Sequence, residues 1–159
     1  MQQDIKPILR SIAVAYWIMF LSLVTYIVAS ALVVSNTDIV FIEDMQLAHI
    51  VNAILIFALI VLAPVSYLVP HKMIAAIRED ISLTDKLLRY RKPLFIRFIT
   101  MNTAGLLIAV GFLLTATPSL IYLQVVVMLF FIIYKPSRFK IASDLKLNER
   151  EKEQLMADY

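Results

Sequence analysis

Cysteine is absent from this chain of 159 residues. That excludes disulfides, thiolate catalysis and cysteine-ligated zinc or iron–sulfur sites. Glycine occurs only twice, at Gly105 and Gly111, which removes every glycine-rich phosphate loop. Neither HExxH nor GxSxG occurs, so no metalloprotease or hydrolase signature is present and the chain reads as a non-enzyme. Asp, Glu and Lys are missing from four apolar runs, 11–34, 46–69, 94–117 and 118–134. Ionisable groups inside spans mark ion and proton paths, so this lack argues against proton-coupled antiport. Basic residues are missing from the segment 35–45, which carries Asp38, Glu43 and Asp44 instead.

What is present is apolar. Hydrophobic residues make up 61% of the chain and the mean hydropathy is +0.82, against roughly half apolar in soluble domains. Three of the runs hold about 24 residues and the last about 17, where about 20 are needed to cross roughly 30 Å of hydrocarbon. The first run exceeds the roughly 7–15 apolar residues of a signal peptide, so it reads as a retained span. All 15 Lys and Arg residues fall on one side of the runs: Lys6 and Arg10, then Lys72 through Arg97, then Lys135 through Lys152. Basic residues are retained on the cytoplasmic side during insertion. The expectation is an all-α integral membrane four-helix bundle forming a single domain over 1–159, with both termini cytoplasmic, in a bacterial-type inner (cell) membrane. Positive-inside bias accounts for the net charge of +3, so nucleic acid is not expected as a partner. No cofactor is expected.

Between the second and third runs lies a cytoplasmic segment, 70–93. Ile74, Ile77, Ile81 and Leu88 recur at helical spacing there. They predict an amphipathic helix that ends at Pro93 and offers a seam to a partner helix, to lipid or to the chain's own tail. Arg78, Glu79, Asp85, Lys86 and Arg89 lie largely off that seam. In the tail, 135–159, Asn148 and Glu151 have the spacing of a capping box and predict a short helix over 149–157. Pro64 should bend the second span and free the carbonyl of Ile60.

Polar residues within the spans are few. Ser22, Thr25, Asn52 and Gln124 lie at depths within reach of one hydrogen-bonded layer. Asn102 falls on the other side of the midplane and is expected to bond elsewhere. Asn102, Gly105 and Ala109 share one face of the third span, and the small pair allows close helix packing. Glu43, Asp44 and His49 gather at the outer end of the second span as a possible ion or proton site. Arg97 lies one turn inside the third span, where it either snorkels to the headgroups or serves as a buried functional charge.

Two functions fit. The first is a non-enzymatic membrane subunit or scaffold that docks a partner through its cytoplasmic helices. The second is a homo-oligomeric small transporter or channel with a weakly polar path through the bundle. Expected partners are the bilayer, other membrane subunits or further copies of the chain, and anionic lipid headgroups at the cytoplasmic face.

Overall fold

The computed structural model describes residues 5–37 and 41–157; Asp38 lies outside them. The described residues form helices α1 (Lys6–Asn36), α2 (Met45–Ala75), α3 (Leu83–Thr115), α4 (Ser119–Ile133), α5 (Arg138–Asp144) and α6 (Glu149–Ala157), with no strand. Helices α1, α2 and α3 are each long and apolar enough to cross a membrane. Their 31 to 33 residues extend roughly 46–50 Å, well beyond about 30 Å of hydrocarbon.

Local chemistry sets the ends. Asp44 caps α2, its carboxylate accepting from the Gln46 amide at 2.8 Å. Ser82 caps α3, its hydroxyl accepting from the Asp85 amide at 3.2 Å. Asn148 and Glu151 form the expected box: Asn148 Oδ1 accepts from the Glu151 amide at 2.9 Å and Glu151 Oε2 from the Asn148 amide at 3.0 Å. Helix α6 occupies the span that this box predicts.

The segment 70–93 corrects the sequence reading. It is not one helix. Helix α2 runs on to Ala75, the chain turns through 76–82, and α3 starts at Leu83 and passes straight through Pro93. The Ser82 cap starts the new helix, and an Arg78–Asp80 ion pair of 2.5 Å closes on itself in the turn. Pro93 is buried within α3, so tertiary packing overrides its local preference for ending a helix. The helical phase differs as well. Leu83, Leu87, Tyr90 and Leu94 form the buried seam, Lys86 is buried with them, and Leu88 is 48% exposed. Ile74 is buried, whereas Ile77 and Ile81 are half-buried, so Ile74, Ile77, Ile81 and Leu88 do not form one exposed face.

The fourth apolar run also departs from expectation. Helix α4 has 15 residues, about 22 Å, too few to cross hydrocarbon unaided. It meets the length of a span only together with α5, to which it is bent by 76°. Helix α5 was not expected. Its end is a Schellman motif: Lys146 adopts φ 48°, its amide donates to Ser143 O at 3.2 Å, and the Leu147 amide donates to Ala142 O at 3.1 Å.

Packing centres on α3. Helices α1, α2 and α4 each lie against it, α1 also meets α4, and α1 and α2 make no more than marginal contact with each other. A square bundle gives every helix two neighbours; here one helix is shared by three. The small residues explain how. A Cβ at Gly105 would collide with Leu23 of α1, and one at Gly111 with Leu55 of α2, so the two glycines admit side chains from two different helices. An aromatic cluster joins the other half of the bundle: Tyr16 of α1, Phe98 of α3 and Phe131 of α4 have ring centroids 5.2–5.7 Å apart.

Candidate functional site

The chemistry collects where the bases are. At this basic end, Arg97 is 3% exposed although it is charged. Its Nε donates to the carbonyl of Ser66 on α2 at 3.4 Å. Pro70, four residues further on, has no N–H to offer that carbonyl, so the guanidinium reaches an acceptor that the helix leaves open. The guanidinium carbon stands 4.9 Å from the Tyr134 ring centroid and 6.0 Å from that of Tyr67, a cation–π geometry that gains strength where water is scarce. Tyr67 stacks on His71 at 5.5 Å. Lys140 of α5 sets its Nζ 4.8 Å from the same Tyr134 ring and donates to Ile133 O at 3.1 Å. Burial, then the charge of Arg97, holds Lys140 below the usual lysine range. No carboxylate pairs with Arg97 among the described residues.

The tail is fastened beside this cage. Tyr90 donates to Asp144 Oδ2 at 2.6 Å. Lys86 pairs with Glu151 at 2.7 Å, the two side chains 3% and 13% exposed. Arg138 Nη1 donates to the carbonyls of Leu155 and Met156 at 3.0 and 3.2 Å, completing the open C-terminal end of α6. Leu145, Leu147 and Leu155 join the same core as Leu83 and Leu87. A cleft of about 330 Å³ lies between the end of α2 and the end of α5, lined by His71, Ile74, Glu79, Ser143, Asp144 and Lys146 among others. A shallow groove on α5 and α6 is edged by Phe139, which is 79% exposed, and Met156.

The residues singled out from the sequence fall into separate places. Ser22, Thr25, Asn52 and Gln124 do not form one layer. Ser22 accepts from Asn102 Nδ2, and Asn102 also donates to Met19 O at 3.0 Å and accepts from Tyr26 at 3.1 Å. Asn102, expected to bond elsewhere, is thus Ser22's partner. Thr25 is exposed and bonds back to Leu21 O at 2.9 Å. Asn52 and Gln124 lie on either side of the level where Leu55 and Leu120 flank Gly111, about 10 Å apart along the axis at 1.5 Å per residue. Both polar atoms of the Gln124 amide, Nε2 and Oε1, and the side-chain carbonyl of Asn52 are buried without a partner. Asn102, Gly105 and Ala109 are all buried on one face of α3. Of the outer trio, Asp44 is spent on its cap and Glu43 and His49 are exposed. No three His, Asp or Glu side chains gather as a metal site among the described residues.

Sequence reasoning weighed Arg97 and a seam that faces the chain's own tail, but missed the cage around Arg97 and the residues that fasten the tail. The available signal was Pro70 four residues after Ser66, with tyrosines at 67 and 134 near the ends of their runs. No family model, no characterised protein and no solved structure matches this chain.

Proposed function

We propose that the protein is a multi-pass membrane subunit with no catalytic role, both ends in the cytoplasm of a bacterial-type inner membrane, and α4 as a short fourth crossing that turns into α5 at the membrane surface. Its task is to hold a fixed platform, built from α5, α6 and the start of α3, against the membrane surface for another protein. The observation that carries this reading is the Lys86–Glu151 pair. A buried ion pair between a long apolar helix and a tail helix favours one seating of that tail. A tether needs no such device. The platform then presents Phe139 and Met156 at its groove, and its surrounding bases draw anionic headgroups at about 1 kcal/mol each.

The test is affinity purification from native membranes in mild detergent, comparing the natural chain with Phe139→Glu. A partner recovered in fixed ratio with the natural chain and lost with the variant supports the platform. Recovery of the chain alone in both preparations sinks it. Orientation is checked separately, because a cysteine-free chain gives no labelling background. Glu43→Cys should react with an impermeant maleimide on intact cells and Arg150→Cys only after lysis; the reverse pattern inverts the topology. The homo-oligomeric transporter or channel has less support, because Thr25 faces outward and Ser22 is occupied by Asn102, leaving Asn52 and Gln124 without a continuous polar path.

A further inference from the structure

We infer that Arg97 and Lys140 form a binding site for a phosphate oxyanion, supplied by the headgroup of an anionic phospholipid at the basic end. The inference rests on the membrane reading above for the source of the phosphate, although not for the site itself.

The argument begins with donors. A guanidinium carries five N–H groups in a rigid fork. In Arg97 only Nε has a hydrogen-bond acceptor among the described residues, and that bond is long at 3.4 Å. The remaining donors belong to a side chain 3% exposed. A desolvated cation in this state is costly unless an anion meets it. The cage offers π faces, which attract the charge but accept no hydrogen bond along the plane of the fork. The nearby carboxylate, Asp144, accepts the Tyr90 hydroxyl at 2.6 Å and its charge also acts on Lys140, but it makes no ion pair with Arg97.

A second cation shares the same wall. Lys140 Nζ and the Arg97 guanidinium lie 4.8 and 4.9 Å from the Tyr134 centroid, and the charge of Arg97 is felt at Lys140, so two like charges border one ring. An Arg fork with a Lys point charge near it suits a phosphate, which takes two parallel N–H bonds from the first and a single strong contact from the second. Tyr67, Tyr134 and, on α1, Trp17 with Lys135 5.4 Å from its ring mark one level. Aromatics with polar tips settle at headgroup depth, where phosphate is the abundant anion.

The test uses the full chain, purified and delipidated in mild detergent. Native mass spectrometry reads retention of phosphatidylglycerol against diacylglycerol of the same acyl chains. The natural chain should retain the phospholipid about tenfold better; Arg97→Gln and Lys140→Gln should each remove most of that preference, and Arg97→Lys should keep part of it. Arg89→Gln, an exposed base at the same end, should change it less than about twofold. Equal retention of the two lipids by the natural chain, or a preference that both glutamine variants leave intact, overturns the site. Should Arg97→Gln lose its helical signal, Lys140→Gln decides alone. A second arm adds millimolar inorganic phosphate to lipid-free protein. A rise in melting temperature that Arg97→Gln and Lys140→Gln abolish, with displacement of phosphatidylglycerol, assigns the site to free phosphate and overturns the lipid source. Release of the chain from membranes by alkaline carbonate would sink the membrane reading, while this second arm would still judge the site.

Discussion

Arg97 of α3 donates to the carbonyl of Ser66 on α2, the same carbonyl that Pro70 leaves without its intrahelical partner. One helix's broken ladder is mended by a side chain from its neighbour. Pro70→Ala restores the internal donor and should make Arg97 less needed. Arg97→Gln is expected to cost about 2 kcal/mol in the natural background, mostly lost cation–π attraction. In a Pro70→Ala background the cost should fall by about 0.6 kcal/mol, the usual worth of an interhelical hydrogen bond in a membrane. Unfolding in mixed detergent micelles, run as a double-mutant cycle, measures the difference; strictly additive effects would disprove the link.

Removing one member of the Lys86–Glu151 pair strands the other. Lys86→Met should destabilise the seated tail by about 3–5 kcal/mol, whereas Lys86→Met with Glu151→Met should recover most of that and retain a loss of about 1 kcal/mol, because Glu151 also accepts from the Asn148 amide in the capping box. Limited proteolysis across the α5–α6 region is the readout. Rapid cleavage is expected in the single variant and protection in the double one.

Leu23 of α1 fills the space that a Cβ on Gly105 would occupy. Gly105→Ala should cost about 1–3 kcal/mol through overpacking, and Leu23→Ala in the same chain should recover part of the loss. Thermal unfolding in detergent checks this, and the same pairing applies to Gly111 and Leu55.

Gln124 is buried 3.1 Å from the position a Cβ on Gly105 would occupy, with its amide unbonded. Gln124→Leu removes that burden and should raise stability by about 1–3 kcal/mol, the penalty of a buried unpaired polar group. A loss of stability would show that the amide is satisfied in the folded protein and return weight to a polar path.

Ala116 closes α3 at φ 49°, and Lys146 holds φ 48° after α5. Replacing either by Gly should stabilise by about 1 kcal/mol, because only glycine adopts this region without strain. A melting temperature that falls in both variants would contradict the assigned backbone.

The sequence disclosed the parts governed by short-range chemistry. The existence of three long apolar helices follows from the solvent their runs demand, and α6 from the Asn148–Glu151 box. Tertiary effects hid the rest. Pro93 reads as a stop only for a helix standing alone; buried with Leu94 and Arg97 against its neighbours, α3 passes it. Lys86 reads as off the seam because its partner, Glu151, lies 65 positions away, yet the structure buries it. Ile74, Ile77, Ile81 and Leu88 satisfied helical spacing, but the break at 76–82 resets the phase between them. The polar layer failed for a similar reason: depth along an axis says nothing about which way a side chain faces, and Asn102 turned toward Ser22.

Because α1 and α2 scarcely touch, a ribosome that has delivered only the first 82 residues has made two greasy rods with no grip on one another. Cohesion arrives with the third, whose glycines and asparagine receive both. Early truncations should therefore yield separable segments open to quality-control proteases, and a chain extended through Thr115 should be the shortest one able to hold its first hairpin together.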